Sequence, residues 1–511
     1  MIMRKKQLLA ARSSIMAAPC LLAALVIMTA VPASAGKQGG MSDLEKAHRG
    51  TVEIDTDLLN RAPQPAPVRA FFTAARQAME ANPKARLADV PEISRAANKN
   101  GLTHLGGPML GCLSADGARV WVRTVKPAKV AVLVRLAGEE RRFGPVASTA
   151  DSDLTAVVPV TGLEPATRHP YRVLVDDTPI TMPANAVITT APMPGPATGM
   201  RIAFAADFHK SGLWKPELME SIRTRGNLAM LLLGDSAVDD RENRVGMHRS
   251  DYLLRDLSPY WQQLAASVPI YAVWDDHDYF NNDLSGIPPR FTAADRAAVR
   301  TVWRQSWNNP ACGFEDKNEG IFFRTRIGPC DVIMLDTRFF RSSPGQADSF
   351  LGQPQMRWLE KQLTACTGPF IILTSGTMWS DYVTNGKDSW GRWDPPAREH
   401  IFSFIEEHRI GGVLLLSGDR HGARVMNIPR PSGFTFREFE MGSLGAHDGP
   451  GAMGNQSTMQ PFGVVKTFAF GEFTFETAAA DPTVTFRAVG TDGNTIHTST
   501  LTRSQLTPPG K

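Results

Sequence analysis

Downstream of Arg201, four apolar runs stop at the same kind of residue. "FAADFH" ends in Asp207 and His209, "LLLGD" in Asp235, "AVWDDHD" in Asp276, His277 and Asp278, and "LLLSGDRH" in Asp419 and His421. Each run is short and almost continuously hydrophobic, the pattern of a strand covered on both faces. Two more runs, "DVIMLDT" and "FIILTSG", share the pattern. Helical stretches such as "QPQMRWLEKQLT" and "PAREHIFSFIEEHR" separate them. That alternation predicts an α/β fold with sheets buried by helices. In open α/β sheets the carboxyl ends of the strands form the ligand crevice. One Asp after a strand is an ordinary helix cap, and one His an ordinary surface or core residue. Four such ends, three of them with His beside Asp, point to a metal site instead. Convergent carboxylates require compensating positive charge, and a bound cation supplies it.

The rest of the chain divides around this region. Residues 1–35 read as a secretory signal: Arg4, Lys5, Lys6 and Arg12 precede and flank an apolar stretch that ends at Ala33-Ser34-Ala35. No paired arginine is present, so the general secretory route is expected, with a mature protein that is exported, periplasmic or secreted. Residues 36–60 look polar and mobile, and 64–98 show helical apolar spacing broken by prolines; together they make an N-terminal segment over 36–100. Residues 101–192 contain short alternating runs ("ARVWVRT", "KVAVLVRL", "DLTAVVPV", "YRVLVDD", "NAVITT") that predict a small β-sandwich of the immunoglobulin or fibronectin type III kind. A Pro/Gly-rich linker over 191–199 leads into a catalytic domain over 200–505, in which strands return after residue 424.

Charge narrows the partners. The formal net charge is +4, and the leader holds four of the cations and no acid, so the mature chain is near neutral. No basic surplus remains for a nucleic-acid partner, and no second apolar run is long enough for a membrane span. A soluble monomer is expected. Cys112, Cys312, Cys330 and Cys366 follow the leader; Cys312 and Cys330 flank a hairpin and are candidates for a disulfide, although four cysteines allow three pairings.

The order Asp-x-His, Gly-Asp, Asp-His-Asp and Gly-x-x-His resembles the calcineurin-like metallophosphoesterase superfamily. Within it, "GPMLGCLSADGARVWVRT", "LLLGD", "WDDHDYFNND", "VIMLDTRFFR", "LGQPQMRWLEKQL", "DSWGRWDPPARE" and "LLSGDRHGARV" resemble the alkaline phosphatase D family over residues 101–425. The resemblance implies a β-sandwich core flanked by helices and hydrolysis of phosphate esters by a metal-bound hydroxide at a two-metal site, with phosphodiesters favoured and some monoesterase activity. Carried over, it places Asp207, His209 and His421 on one metal, Asp235 as the bridge, and Asp276 and Asp419 on the second. His277 would protonate the leaving oxygen or stabilise the transition state, and Asp278 would orient it and keep it charged. Arg338 is either a phosphate clamp or a structural ion pair. Asn282 either contacts metal-bound water or caps a turn.

Two departures shape the metal expectation. Relatives carry a cysteine after the first strand and a tyrosine after Gly-Asp, which the resemblance implies bind ferric iron; here those positions are Ala206 and Val238. The strand "FIILTSG" also lacks the histidine that the wider superfamily gives to the second metal. One Asp/His site for Fe, Zn or Mn and one oxygen-rich site for Ca, Mg or Mn are therefore expected, with Ser375 as a further oxygen donor. The alternative is a catalytically degenerate metal-binding scaffold with a partner-binding role. Lys210, His248 and His447 are read as surface residues. Trp379, Trp390 and Trp393 belong to an aromatic loop that is either scaffold or cleft lining.

Overall fold

The computed structural model describes residues 48–61, 63–238, 244–380 and 388–510. The signal expected over 1–35 lies outside the described residues. Among those residues no helix is long and apolar enough to cross a membrane.

Two sheets face each other in the half of the chain after residue 199. The first has the order Ile270–Ala272, Met230–Leu232, Met200–Ala205, Ala469–Glu476, Thr483–Gly490, Thr495–Thr502. Its first three strands are parallel and the rest antiparallel. The second has the order Phe323–Ile327, Cys330–Met334, Phe370–Thr374, Val413–Ser417, Thr435–Met441, Ala423–Pro429, Phe462–Val464. Its four central strands, from Cys330 to Met441, run parallel. Aromatic rings join the two faces: Phe473 of the first sheet lies 4.7 Å from Phe204 and 5.0 Å from Phe439 of the second, and Phe439 lies 4.7 Å from Phe486.

The continuous hydrophobicity of the central strands has a direct cause. Side chains alternate between faces along a strand. Val332, Met334, Ile372, Leu414 and Leu416 point into the inter-sheet core. Their neighbours Ile333, Leu335, Ile371, Leu373, Val413 and Leu415 pack on the other side with Met356, Leu359, Ile401, Phe402 and Ile405 of helices Gly352–Ala365 and Pro395–Glu407. Both sides are dry, so neither needs polar residues.

Residues 106–189 form two antiparallel sheets. One joins Gly106–Gly111, Ala118–Arg123 and Thr155–Val160; the other joins Ala128–Leu136, Glu139–Ser148 and Arg168–Val175, with the short strands Thr178–Pro179 and Val187–Thr189. Before them come helices Val52–Asn60, Ala66–Ala81 and Pro91–Lys99, each of the last two opening on a proline in its first turn.

Four expectations are corrected here. Residues 48–60 are built into the structure: Thr51 caps helix Val52–Asn60 by accepting from the Ile54 N–H at 3.2 Å, and Leu58 and Leu59 are buried. Their anchor is long-range and invisible to local polarity: Asp55 receives Arg76 at 2.6 Å and Lys210 at 2.7 Å. Lys210 is therefore not solvated; it is fully buried between Asp55 and Asp251, each at 2.7 Å. His248 is likewise buried, within helix Val245–Leu257. Cys312 and Cys330 do not pair; all four described cysteines are free thiols, and Cys312 donates to the Gly320 carbonyl.

Two outcomes follow for solution experiments. Alkylation of the denatured mature protein without reductant should label all four cysteines, read by intact mass. Phe473→Ala should destabilise the sheet interface by about 3–5 kcal/mol, read as a large drop in the thermal midpoint.

Candidate functional site

The carboxyl ends of strands Met200–Ala205, Met230–Leu232 and Ile270–Ala272 in one sheet, and Val413–Ser417 in the other, deliver their loops to one crevice. The loops are tied together by main-chain bonds. Asp207 N–H donates to the Gly234 carbonyl at 3.2 Å, and His209 N–H to the Asp235 carbonyl at 2.7 Å. Across the sheets, Asp419 N–H donates to the Asp207 carboxylate at 3.0 Å. Five of the expected ligands have left-handed backbones: Asp207 (φ 55°), His209 (44°), Asp235 (53°), Asp419 (77°) and His421 (49°). Non-glycine residues rarely sit there, and such strain collects where function fixes a side chain's direction. Gly442 stands against Asp207 for a simpler reason: a Cβ on it would run into the Asp207 and Glu440 carboxylates.

Three groups of donor atoms assemble, each with its atoms within 4.8 Å of one another: Asp207, His209 and His421; Asp235, Asp276 and His277; Asp275, Asp276 and Asp419. His421 Nε2 is 3.7 Å from Asp207 Oδ1, and His209 Nε2 is 3.9 Å from Asp235 Oδ2. The first group is the one expected. The third is all oxygen and holds Asp276 and Asp419 of the expected second set, with Asp275 beside them; in the second, the His277 imidazole lies within reach of Asp235 and Asp276. Ser375 accepts from Trp390 Nε1 at 3.0 Å.

Buried atoms without hydrogen-bond partners test whether cations fit. Asp207 Oδ1, Asp235 Oδ1 and both ring nitrogens of His209 are in that state. Each such group costs about 1–3 kcal/mol unless something compensates it. Metal coordination satisfies carboxylate oxygens and neutral imidazole together, so the residues fit bound metal. The electrostatics agree. Burial, reinforced by neighbouring carboxylates, holds Asp207 and Asp235 well above the usual carboxylate range, and burial raises Asp419 despite Arg420. Burial lowers His209 strongly and brings His421 down to about 4, with His277 adding to both shifts. Asp276 alone is held low: burial opposes its charge, but Arg338, His277 and the Asp283 N–H outweigh burial.

The remaining predicted residues take other places. Arg338 is a buried ion pair and not an exposed clamp: it donates to both oxygens of Asp275 and, at 2.6 Å, to Asp388. Asp388 also receives Arg341. Asp278 sits next to His277 on the short helix Asp276–Tyr279. It accepts from the backbone N–H groups of Ser236 (2.9 Å) and Asp275 (3.2 Å), and burial raises it to about 7. Asn282 is exposed. Trp379 and Trp390 are buried and stacked at 4.8 Å, so both are scaffold. His447 is half-exposed against Phe468 and Asp448. Ala206 and Val238 are buried apolar residues, which offer neither thiolate nor phenolate.

Sequence reasoning missed two kinds of residue. His48, from the N-terminal segment, stacks on His277 with ring centroids 4.2 Å apart and meets His209 edge-on at 5.1 Å. Nothing local to "EKAHRG" signals that. Glu440 lies buried behind Asp207, and burial raises it to about 7 against the pull of Arg424. Its signal was available: Glu438 and Glu440 alternate with Phe439 in an otherwise buried strand.

Facing parallel-stranded sheets with a carboxylate and imidazole crevice at their carboxyl ends define a metallophosphoesterase-type fold. The chain belongs to the PhoD-like phosphatase family, whose model matches residues 236–493. That span holds His277, Asp278, Arg338, Asp419 and His421, whereas Asp207, His209 and Asp235 precede it. Residues 102–193 match a domain of unknown function (DUF7800). Alkaline phosphatase D of Bacillus subtilis (strain 168) is 23% identical over 236 residues, covering 41% of this chain and 38% of that protein. The chain thus matches well under half the length of that relative. A solved structure of PhoD superposes with a TM-score of 0.63 at 18% identity, over 79% of this chain and 91% of that one. The purple acid phosphatase PPD1 of yellow lupin gives 0.56 at 14% identity, over 78% and 74%.

Metal binding to this site must expel protons from the raised carboxylates, so apparent metal affinity should climb as pH rises above the usual carboxylate range. Titration calorimetry in buffers of different ionisation enthalpy would count those protons. Asp235→Asn should lower the stability of the metal-loaded protein far more than that of the chelated one, because it removes a ligand from the first and only a carboxyl that burial already keeps protonated from the second. Thermal melts with and without chelator would show that difference.

Proposed function

We propose that this is an exported, metal-dependent phosphoesterase that hydrolyses P–O bonds of phosphodiesters and phosphomonoesters. The observation that carries it is the meeting of two Asp/His donor groups, with unpartnered buried oxygens and nitrogens, at the carboxyl ends of parallel strands. Family membership supports the substrate class. Asp207, His209 and His421 would hold one metal ion, and Asp235, Asp276 and Asp419 the other. Metal ions bound there would supply the positive charge that activates water and polarises the phosphoryl group.

The protein's own groups do the remaining work. The left-handed loops and the bond from Asp419 N–H to Asp207 fix the carboxylates before substrate arrives, so little reorganisation is needed. Arg338 neutralises Asp275 and, 3.8 Å from Asp276, keeps that carboxylate ionised and ready to ligate. His277 stands at the edge of the donor cluster, where its ring can give a proton to the departing alcohol. His421 and Arg420 form the more accessible rim. Export by the leader over 1–35 would leave Gly36 at the mature N-terminus, which N-terminal sequencing would identify.

The test is hydrolysis of bis-aryl and mono-aryl phosphates by the mature protein across a panel of metals. His277→Ala should lower kcat by about 10²–10⁴-fold while metal content stays near that of the parent. No turnover of either ester with any metal would leave the degenerate scaffold as the better account.

A further inference from the structure

The crevice is closed unevenly. On one side the His421 and Asp419 side chains remain 25% and 14% exposed. On the other, His277 is only 5% exposed and His209 1%. What covers that second side is His48, whose ring lies flat against His277, tilted by 22°, and edge-on to His209. His48 belongs to neither sheet and lies outside the span that matches the phosphatase family.

Its placement is firm. Gly50, two residues on, has its carbonyl held by Arg76 at 2.6 Å. Asp55 is clamped between Arg76 and Lys210, and Lys210 directly follows His209 in the metal loop. Lys210 is in turn held by Asp251. These are short, fully buried, charge-assisted bonds, so the segment carrying His48 is fastened to the same loop that carries a candidate ligand.

We propose that His48 is a specificity-determining residue: its ring fills the space over His277 that a bulky second ester substituent would occupy, so the N-terminal segment limits the size of ester the site accepts. A phosphodiester has a group on phosphorus that does not leave, and that group needs room. The His421 side offers it to the entering substrate, and the His48 wall removes it on the far side. Methyl 4-nitrophenyl phosphate and bis(4-nitrophenyl) phosphate share charge and leaving group and differ in the size of the retained substituent. The retained groups also differ in electron withdrawal, but that intrinsic difference is the same for every variant, so the change in the ratio of kcat/KM between parent and variant reports room.

The inference rests on the phosphoesterase reading, and one experiment separates the two. In the full mature chain, His48→Ala should raise kcat/KM for the bis-aryl ester relative to the methyl ester by about tenfold, the scale of a pocket-size change. His48→Phe, which keeps a flat ring, should retain the parental ratio. Metal content and thermal midpoint, measured on each variant, should match the parent. An unchanged ratio in His48→Ala with an active parent would overturn the proposal alone. So would loss of metal from His48→Ala, which would make His48 a ligand. A parent that hydrolyses neither ester would overturn the phosphoesterase reading and this inference with it.

Discussion

Six aspartates crowd one crevice: Asp207, Asp235, Asp275, Asp276, Asp278 and Asp419. Placing that much negative charge away from water is the constraint to which the rest of the molecule responds. The responses differ by residue. Asp275 has a guanidinium of its own in Arg338. Asp278 has two backbone N–H groups. Asp276 has Arg338 nearby and the Asp283 N–H. Asp207 and Asp235 keep an oxygen with no protein partner, and that remainder is what a cation must balance. The sequence "WDDHD" is tolerable because its three acids are compensated by three different means.

Arg338 also joins the two sheets at depth. It follows strand Cys330–Met334 of one sheet and reaches Asp275 after strand Ile270–Ala272 of the other, while Asp388 brings in the loop before helix Pro395–Glu407. Breaking such a buried pair by removing one partner typically costs about 3–5 kcal/mol, because the other charge is left stranded. The site's geometry and the domain's integrity thus share the same residues.

Much of this was legible in the chain. Continuous apolar runs ending in Asp gave the parallel strands and their crevice, because a strand dry on both faces has nowhere to put a polar residue except at its end. The Asp207, His209 and His421 group was readable from the same ends. Less legible was anything set by a distant partner. Lys210 looks solvated until Asp55 and Asp251 are placed around it. Arg338 admitted two roles, and only the neighbourhood of Asp275 and Asp388 decides between them. His48 had no signal at all, since helical and loop polarity say nothing about which domain a segment will cover.

The pairing of strand Met200–Ala205 has a consequence for how the protein is made. It is the first strand of the two facing sheets, and it lies between Met230–Leu232 and Ala469–Glu476, near the far end of the chain. During synthesis its second edge stays bare until almost the whole polypeptide has emerged. Pairings of such long sequence separation form slowly, and an uncovered strand edge invites wrong partners. The crevice therefore cannot mature piecemeal from the N-terminus. A product truncated before Ala469 would carry every candidate ligand but lack the strand that pairs with the second edge of Met200–Ala205.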